Sequence, residues 1–275
     1  MRVRDDGSMT AGSVTVAVCQ FAPVADRAAN RARIGELVAR AAGRGARLVV
    51  LPEYSSYFVD PLDETLAANA EQLDDVFTAE LRRLAAWHDA VVVAGLVERA
   101  DAGRIRNAVV AVDATGILAV YRKQHLYDAF GQTESTWIEP GDLGDAATFV
   151  VDGLTFGLMT CYDLRFPEVA RTLVDAGADA LVVPAEWVRG PLKEHHWTTL
   201  LAARAIESTS YVVAADHPAP VGVGHSAVVD PQGVLIAGVG TGEGIAVAEL
   251  DAAAVARVRE VNPVLRLRRY RVVPR

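Results

Sequence analysis

The feature that most constrains this chain is an unbroken alternation of short apolar runs, amphipathic stretches and tight turns. The runs cover 14–21, 47–51, 90–97, 107–113, 117–121, 147–151, 154–160, 180–183, 211–215, 226–229, 234–238 and 245–250. Each has the length and β-branched content of a buried strand. Between them, Ile34, Leu37, Val38 and Ala41 recur at helical spacing and predict a helix over 27–44, ended by Gly43 and Gly45. Further helices are predicted over 74–87, 168–176, 195–208 and 252–259. Asp113-Ala114-Thr115-Gly116, Asp152-Gly153 and Pro231-Gln232-Gly233 mark hairpins. No linker, repeat or low-complexity break interrupts the pattern. Hairpins combined with crossover helices imply one α/β domain with mixed sheets over 13–275, behind a loose polar leader over 1–12 in which Met9 is an alternative start.

Composition narrows the function. A chain of 275 residues that is 51% hydrophobic can fill a substantial core. Its net charge of −8, from 27 basic and 35 acidic side chains, argues against general binding to nucleic acid or anionic membranes. Two cysteines, Cys19 and Cys161, are too few for a disulfide framework and suit a reducing, cytoplasmic compartment. No apolar run approaches the roughly 20 residues of a membrane span. Six arginines from Arg259 onward favour a docking arm over core for about 255–275.

Three reactive side chains occupy equivalent places. Glu53, Lys123 and Cys161 each lie just past the end of an apolar strand, where ligands gather in open α/β sheets. Cys161 stands where the run 154–160 gives way to a helical pattern. There the Tyr162 N–H, at the predicted helix start, would favour a thiolate and could bind an oxyanion. A small buried core residue is the other reading of Cys161 from local context. Cys19, with nothing titratable beside it, is structural. The three types suit one reaction: a thiolate attacks a carbonyl carbon, a carboxylate takes the thiol proton and later activates water, and an ammonium offsets the oxyanion. No histidine is placed by spacing as a partner for Cys161. The irregular stretch 124–145 is long enough to be functional.

Leu51-Pro52-Glu53, Tyr121-Arg122-Lys123-Gln124-His125-Leu126 and the segment from Cys161 through Tyr162-Asp163-Leu164-Arg165-Phe166-Pro167 to Glu168 resemble, in that order, the signature segments of the nitrilase superfamily of carbon–nitrogen hydrolases. The similarity runs from Val14 to Arg269, through His196-Trp197, Ala203 to Glu207, His225-Ser226 and Asp230 to Gly233. The resemblance implies a four-layer α-β-β-α sandwich, no cofactor or metal, and a homodimer or higher homo-oligomer that swaps C-terminal arms. It implies Glu53 as general base and acid, Lys123 as oxyanion stabiliser, Cys161 as nucleophile and Glu134 as a second glutamate orienting the lysine or substrate. Tyr162-Asp163 after the nucleophile resembles the amidase branch near ω-amidases and deaminated-glutathione amidases rather than nitrilases, which carry Trp-Glu there.

One departure from that branch is Pro184-Ala185-Glu186-Trp187 with Arg189-Gly190-Pro191, in a segment that helps line the pocket. Glu186 and Trp187 are therefore carried as pocket residues, with core the alternative for Trp187. Arg165 and Arg189 are candidates to hold a substrate carboxylate, with a surface ion pair as the alternative. Asp163 is expected to cap the helix or pair with Arg165. His195-His196 is a poor metal pair, since adjacent helical side chains point apart. The expected activity is hydrolysis of a small linear amide to acid and ammonia. N-carbamoyl-amine hydrolysis, nitrile hydrolysis and an inactive binding protein on the same fold are the rivals. A metal-dependent phosphoesterase would need Asp, His and Asn ligands that the sequence does not assemble.

Overall fold

The structure is a computed structural model that describes residues 12–144 and 146–275. The predicted leader therefore falls, but for Gly12, outside the described residues. Strands β1 (Ser13–Gln20), β2 (Leu48–Val50), β3 (Val91–Arg99), β4 (Ile105–Val112) and β5 (Ile117–Arg122) begin one sheet. Strands β6 (Thr148–Val151), β7 (Leu154–Leu158), β8 (Ala180–Pro184), β9 (Tyr211–Ala215), β10 (Ala227–Val229) and β11 (Leu235–Gly238) form a second. The late strand β12 (Gly244–Asp251) returns to the edge of the first. The orders are β12-β1-β2-β3-β4-β5 and β11-β10-β9-β8-β7-β6, six strands in each.

Both sheets are mixed in the same way. In the first, β12 and β1 are antiparallel, β1-β2-β3 parallel, and β3-β4-β5 antiparallel. In the second, β6 and β7 are antiparallel, β7-β8-β9 parallel, and β9-β10-β11 antiparallel. Parallel neighbours need crossovers, and helices supply them. These are α1 (Arg27–Ala42), α2 (Thr65–Asn69) and α3 (Val76–His88) on one half, and α4 (Pro167–Asp175) and α5 (Lys193–Ser208) on the other. The Asp26 carboxylate caps α1 by accepting from the Ala28 and Ala29 N–H groups at 2.8 and 3.0 Å.

Alternation along the strands builds the layers. Val14, Val16, Val18, Leu48, Val50, Val91, Val93, Val109 and Ala111 face the second sheet's core, which continues into α4 and α5 through Leu173, Trp197 and Leu201. Ala17, Cys19, Val49, Leu51, Val92, Ala94, Val110 and Val112 point the other way, onto Ile34, Leu37, Val38, Leu81 and Leu84 of α1 and α3. The result is helices, sheet, sheet, helices. Strands covered on both faces read as continuous apolar runs, and each large side chain so buried contributes about 1.5–3 kcal/mol. Cys19 belongs to this packing: burial pushes its thiol up to about 12 despite nearby arginines, so the structural reading stands.

The differences from the sequence reading are local. The short helices α2 and α7 (Val264–Leu267) are absent from it, being below the length at which periodicity shows. Helix α4 starts at Pro167, and a 3-10 turn over Cys161–Arg165 precedes it. The Tyr162 N–H therefore does not open an α-helix. Helix α6 (Ala252–Val261) follows β12 directly, capped by Asp251, whose carboxylate accepts from the Ala253 N–H at 2.8 Å. Arg259 then ties the chain end to Asp179 at 2.9 Å and to the Ala178 carbonyl at 2.8 Å, and Arg268 pairs with Asp175. Beyond it Tyr270 is 94% exposed. Among the described residues no helix is long and apolar enough to cross a membrane.

Candidate active site

Glu53 lies just past β2, in a loop that keeps bonding to β3. Leu51 donates to the Val93 carbonyl at 2.8 Å, Gly95 to the Pro52 carbonyl at 3.1 Å, and Ser56 to the Gly95 carbonyl at 3.1 Å. Only glycine fits at 95, because a Cβ there would lie 2.4 Å from the Tyr54 nitrogen and 2.7 Å from the Glu53 Cα. Tyr54 takes a left-handed φ of 57° to turn the chain. The Glu53 carbonyl accepts from His217 Nε2–H at 2.8 Å. Burial holds His217 neutral, with its pKa down to about 4.

Lys123 follows β5 and is 2% exposed. Its Nζ donates to Glu53 Oε1 and to Glu134 Oε1, each at 2.9 Å. Glu134 sits on a 3-10 turn, Glu134–Thr136, within the irregular stretch. Its Oε1 also accepts from the Tyr54 hydroxyl at 2.6 Å, and its Oε2 from the Tyr127 N–H at 2.5 Å. The Asn107 amide donates to both carboxylates, at 2.6 Å to Glu53 and 3.2 Å to Glu134. One buried ammonium thus faces two buried carboxylates. Burial and the neighbouring Glu134 push Glu53 up, against the pull of Lys123. Burial also acts upward on Glu134, but Lys123, the Tyr54 hydroxyl and the Tyr127 N–H hold it below the usual range. Burial opposes the charge on Lys123, yet the two carboxylates raise it well above an ordinary lysine. The cluster therefore combines a firm ammonium, a firm carboxylate and a carboxylate with raised proton affinity, the property a general base needs.

Cys161 opens its 3-10 turn with a left-handed φ of 43°. The strand before it is anchored to β8: Met159 donates to the Val182 carbonyl at 3.1 Å and Thr160 Oγ1 to the Pro184 carbonyl at 2.7 Å. The thiol meets the Glu186 carbonyl at 3.3 Å, while the Glu186 N–H donates to Glu53 Oε2 at 2.6 Å. One peptide segment thus joins the sulfur to the carboxylate. Glu53, Lys123, Glu134 and Cys161 line one cavity of about 180 Å³. Burial first, and then Glu53, push the Cys161 thiol well above its ordinary pKa, with Lys123 opposing. That direction favours the thiol, opposite to the thiolate that the helix-start reading favoured.

The remaining candidates divide. Tyr162, Arg165, Glu186 and Trp187 border a second recess, which shares Cys161 with the first cavity. Burial and nearby Glu53 raise the Glu186 carboxyl well above the carboxylate range. Trp187 is 3% exposed and its ring packs tilted against Trp197, which is core, with 5.2 Å between ring centres. Arg189 is exposed and faces Glu194 at 3.9 Å, the surface alternative. Asp163 neither caps α4 nor pairs with Arg165. Fully buried, it accepts from the Tyr121 hydroxyl at 2.8 Å and the His125 N–H at 3.0 Å, with His125 Nδ1 at 2.8 Å. It binds the Lys123 segment to the Cys161 turn. Among the described residues no group of three His, Cys, Asp or Glu is arranged to hold a metal ion.

Asn107, Tyr54, Tyr127, His217 and Lys193 were not picked out by sequence reasoning. Asn107 carried only a partial signal: counting back from the 113–116 turn sets it opposite Arg122, and an irregularity between Ala111 and Val112 shifts it by one onto Lys123, whose N–H bonds the Asn107 carbonyl at 2.9 Å. Asp216 had no such signal. Burial raises its carboxyl, which accepts from the Trp187 and Gly224 N–H groups at 2.7 and 3.0 Å and so fixes the pocket segment.

A model of the carbon–nitrogen hydrolase family matches residues 15–260. The chain is 41% identical over 255 residues to the deaminated glutathione amidase of Escherichia coli O157:H7, covering 93% of this chain and 97% of that protein. It is 35% identical over 274 residues to the human deaminated glutathione amidase, covering 92% and 82%. Among solved structures, the Caenorhabditis elegans NitFhit protein superposes with a TM-score of 0.86 at 30% identity, covering 95% of this chain and 66% of that one. An amidase from Nesterenkonia sp. AN1, solved as a double mutant in complex with acrylamide, superposes at 0.80 with 25% identity, covering 95% and 96%.

Proposed function

The chain belongs to the carbon–nitrogen hydrolase family, a hydrolase of the nitrilase superfamily acting on carbon–nitrogen bonds other than peptide bonds, and on that premise we propose that it is an amidase that opens a small, carboxylate-bearing linear amide through a Cys161 thioester. The observation that carries the reading is the closed chain of contacts from Lys123 through Glu53 and the Glu186 peptide to the Cys161 sulfur.

Glu53 takes the Cys161 proton as the sulfur attacks the amide carbon. The proton affinity of Glu53, raised by burial, makes transfer from a thiol itself raised by burial workable. Lys123 Nζ and the Tyr162 N–H offset the negative charge that develops on the carbonyl oxygen; such a donor is typically worth about 3 kcal/mol in the transition state. The tetrahedral adduct collapses with cleavage of the carbon–nitrogen bond, and Glu53 returns its proton to the departing amine. Glu53 then deprotonates a water that attacks the thioester, and collapse restores the thiol and releases the acid. Glu134 holds Lys123 in place throughout. Arg165, beside the recess, holds the substrate carboxylate. In this reading the protein works in the cytoplasm, as a homodimer joined through its C-terminal arm.

The test is an ammonia- and amine-release screen over dicarboxylic monoamides, carbamoyl amino acids, nitriles and deaminated glutathione, the last because of the relatives' name. Cys161→Ala should fold normally and lose all turnover. Full activity in that variant sinks the proposal, and carbon dioxide release alongside ammonia redirects it to carbamoyl substrates.

A further inference from the structure

The recess between Cys161, Tyr162, Trp187 and Lys193 carries two cations that pair with no carboxylate. Lys193, the first residue of α5, is only 5% exposed. Its Nζ donates to the Tyr127 hydroxyl, and it lies 4.2 Å from the Phe130 ring centre and 4.7 Å from that of Tyr127. Its backbone is held in turn, because its carbonyl accepts from the Trp187 indole N–H at 3.0 Å. Arg165, at the end of the nucleophile turn, shares these walls: its guanidinium carbon sits 5.0 Å from the Trp187 ring centre and 5.6 Å from that of Phe130. One guanidinium nitrogen faces His196 Nδ1 at 3.2 Å, and its Nε is buried with no partner. Among the described residues neither cation has a carboxylate at ion-pair distance. Glu186, the one acid bordering the recess, has its carboxyl raised well above the carboxylate range by burial and Glu53. Two like charges against shared aromatic walls repel one another, and burial and Arg165 depress the Lys193 ammonium.

The aromatic rings offset part of this repulsion, and an anion between the two cations would offset the rest. We propose that Lys193 and Arg165 together form a two-cation subsite for the carboxylate of the acyl group, and that Lys193 sets the preference for acyl groups that carry one. This rests on the Cys161 amidase reading and assigns its specificity. The two cations differ in kind: the guanidinium offers a planar fork, and the ammonium a compact charge whose donors rotate to the remaining carboxylate oxygen. Trp187 and Lys193 are buried while Phe130 is exposed, so a carboxylate bridging the two cations is partly shielded and held more tightly than at a fully solvated surface.

The experiment compares wild type, Lys193→Met and Lys193→Arg on two readouts. The first is kcat/KM for glutaric monoamide against that for butanamide, which has no carboxylate. The second is protection of Cys161 from iodoacetamide by glutarate, read by mass spectrometry. Loss of one charge-assisted contact should lower the glutaric monoamide preference at least about tenfold in Lys193→Met, chiefly through KM, and weaken glutarate protection by a similar factor. Lys193→Arg should keep most of both. Equal losses on the two amides, or an unchanged preference and unchanged protection, overturn the assignment. A wild type indifferent to the carboxylate overturns the subsite but leaves the thioester chemistry standing. Turnover that survives Cys161→Ala strikes the underlying reading instead.

Discussion

Asn107→Leu isolates the control of proton affinity at the centre of the site. The Asn107 amide donates to Glu53 Oε1 at 2.6 Å and to Glu134 Oε1 at 3.2 Å, while its own Oδ1 is buried without a partner. Leucine keeps the branched shape and removes the donor together with the unpartnered Oδ1. A hydrogen bond to a charged group contributes about 1.5–3 kcal/mol, and one pKa unit corresponds to about 1.36 kcal/mol. The bond favours the ionised carboxylate, so its removal raises the proton affinity further. The acid limb of the kcat/KM profile should therefore move to higher pH by about one to two units. That limb belongs to the linked Glu53–Lys123–Glu134 group rather than to one side chain. The assay is initial rate against pH on the best amide from the screen, with circular dichroism to confirm folding. A folded, active variant whose acid limb stays in place, or moves to lower pH, would falsify the argument that Asn107 tunes this base.

Other perturbations test the supports of the site. Gly95→Ala places a methyl group 2.4 Å from the Tyr54 nitrogen; it should cost about 1–3 kcal/mol of stability and reduce kcat by shifting Glu53, measured by urea unfolding and steady-state kinetics. Lys123→Met leaves two buried carboxylates without their cation and should destabilise the fold by about 3–5 kcal/mol at neutral pH. The sign of its pH dependence is fixed: the folded carboxyl pKa then lies above the unfolded one, so stability should recover as pH falls toward the unfolded value and be lost as pH rises. Thermal melts from pH 4 to 8 would show it, and a variant whose stability falls on acidification refutes the pairing. Asp163→Ala should leave the Tyr121 hydroxyl and His125 N–H short of their acceptor, costing about 1–3 kcal/mol and slowing turnover more than a nearby surface substitution does.

The chain order of strands and helices was legible because the inner strands of the sandwich are buried on both faces and so read as continuous apolar runs, while the longer helices show one apolar stripe. Glu53, Lys123 and Cys161 were legible too, since reactive side chains stand out where an apolar run stops. What no local pattern carries is distance between segments. That Asn107 reaches both Glu53 and Glu134 while Tyr54 reaches Glu134, that Asp163 binds His125 instead of capping α4, and that Asp216 holds the Trp187 peptide, all depend on how the ends of separate strands converge. The protonation states were likewise beyond the sequence. Whether Glu53, Glu186 and Cys161 carry protons is set by burial and by neighbours far off in the chain. Residue type and periodicity determined which elements form and which chemistry is on offer; only the tertiary packing, by removing water and bringing charges together, decided which groups act on one another.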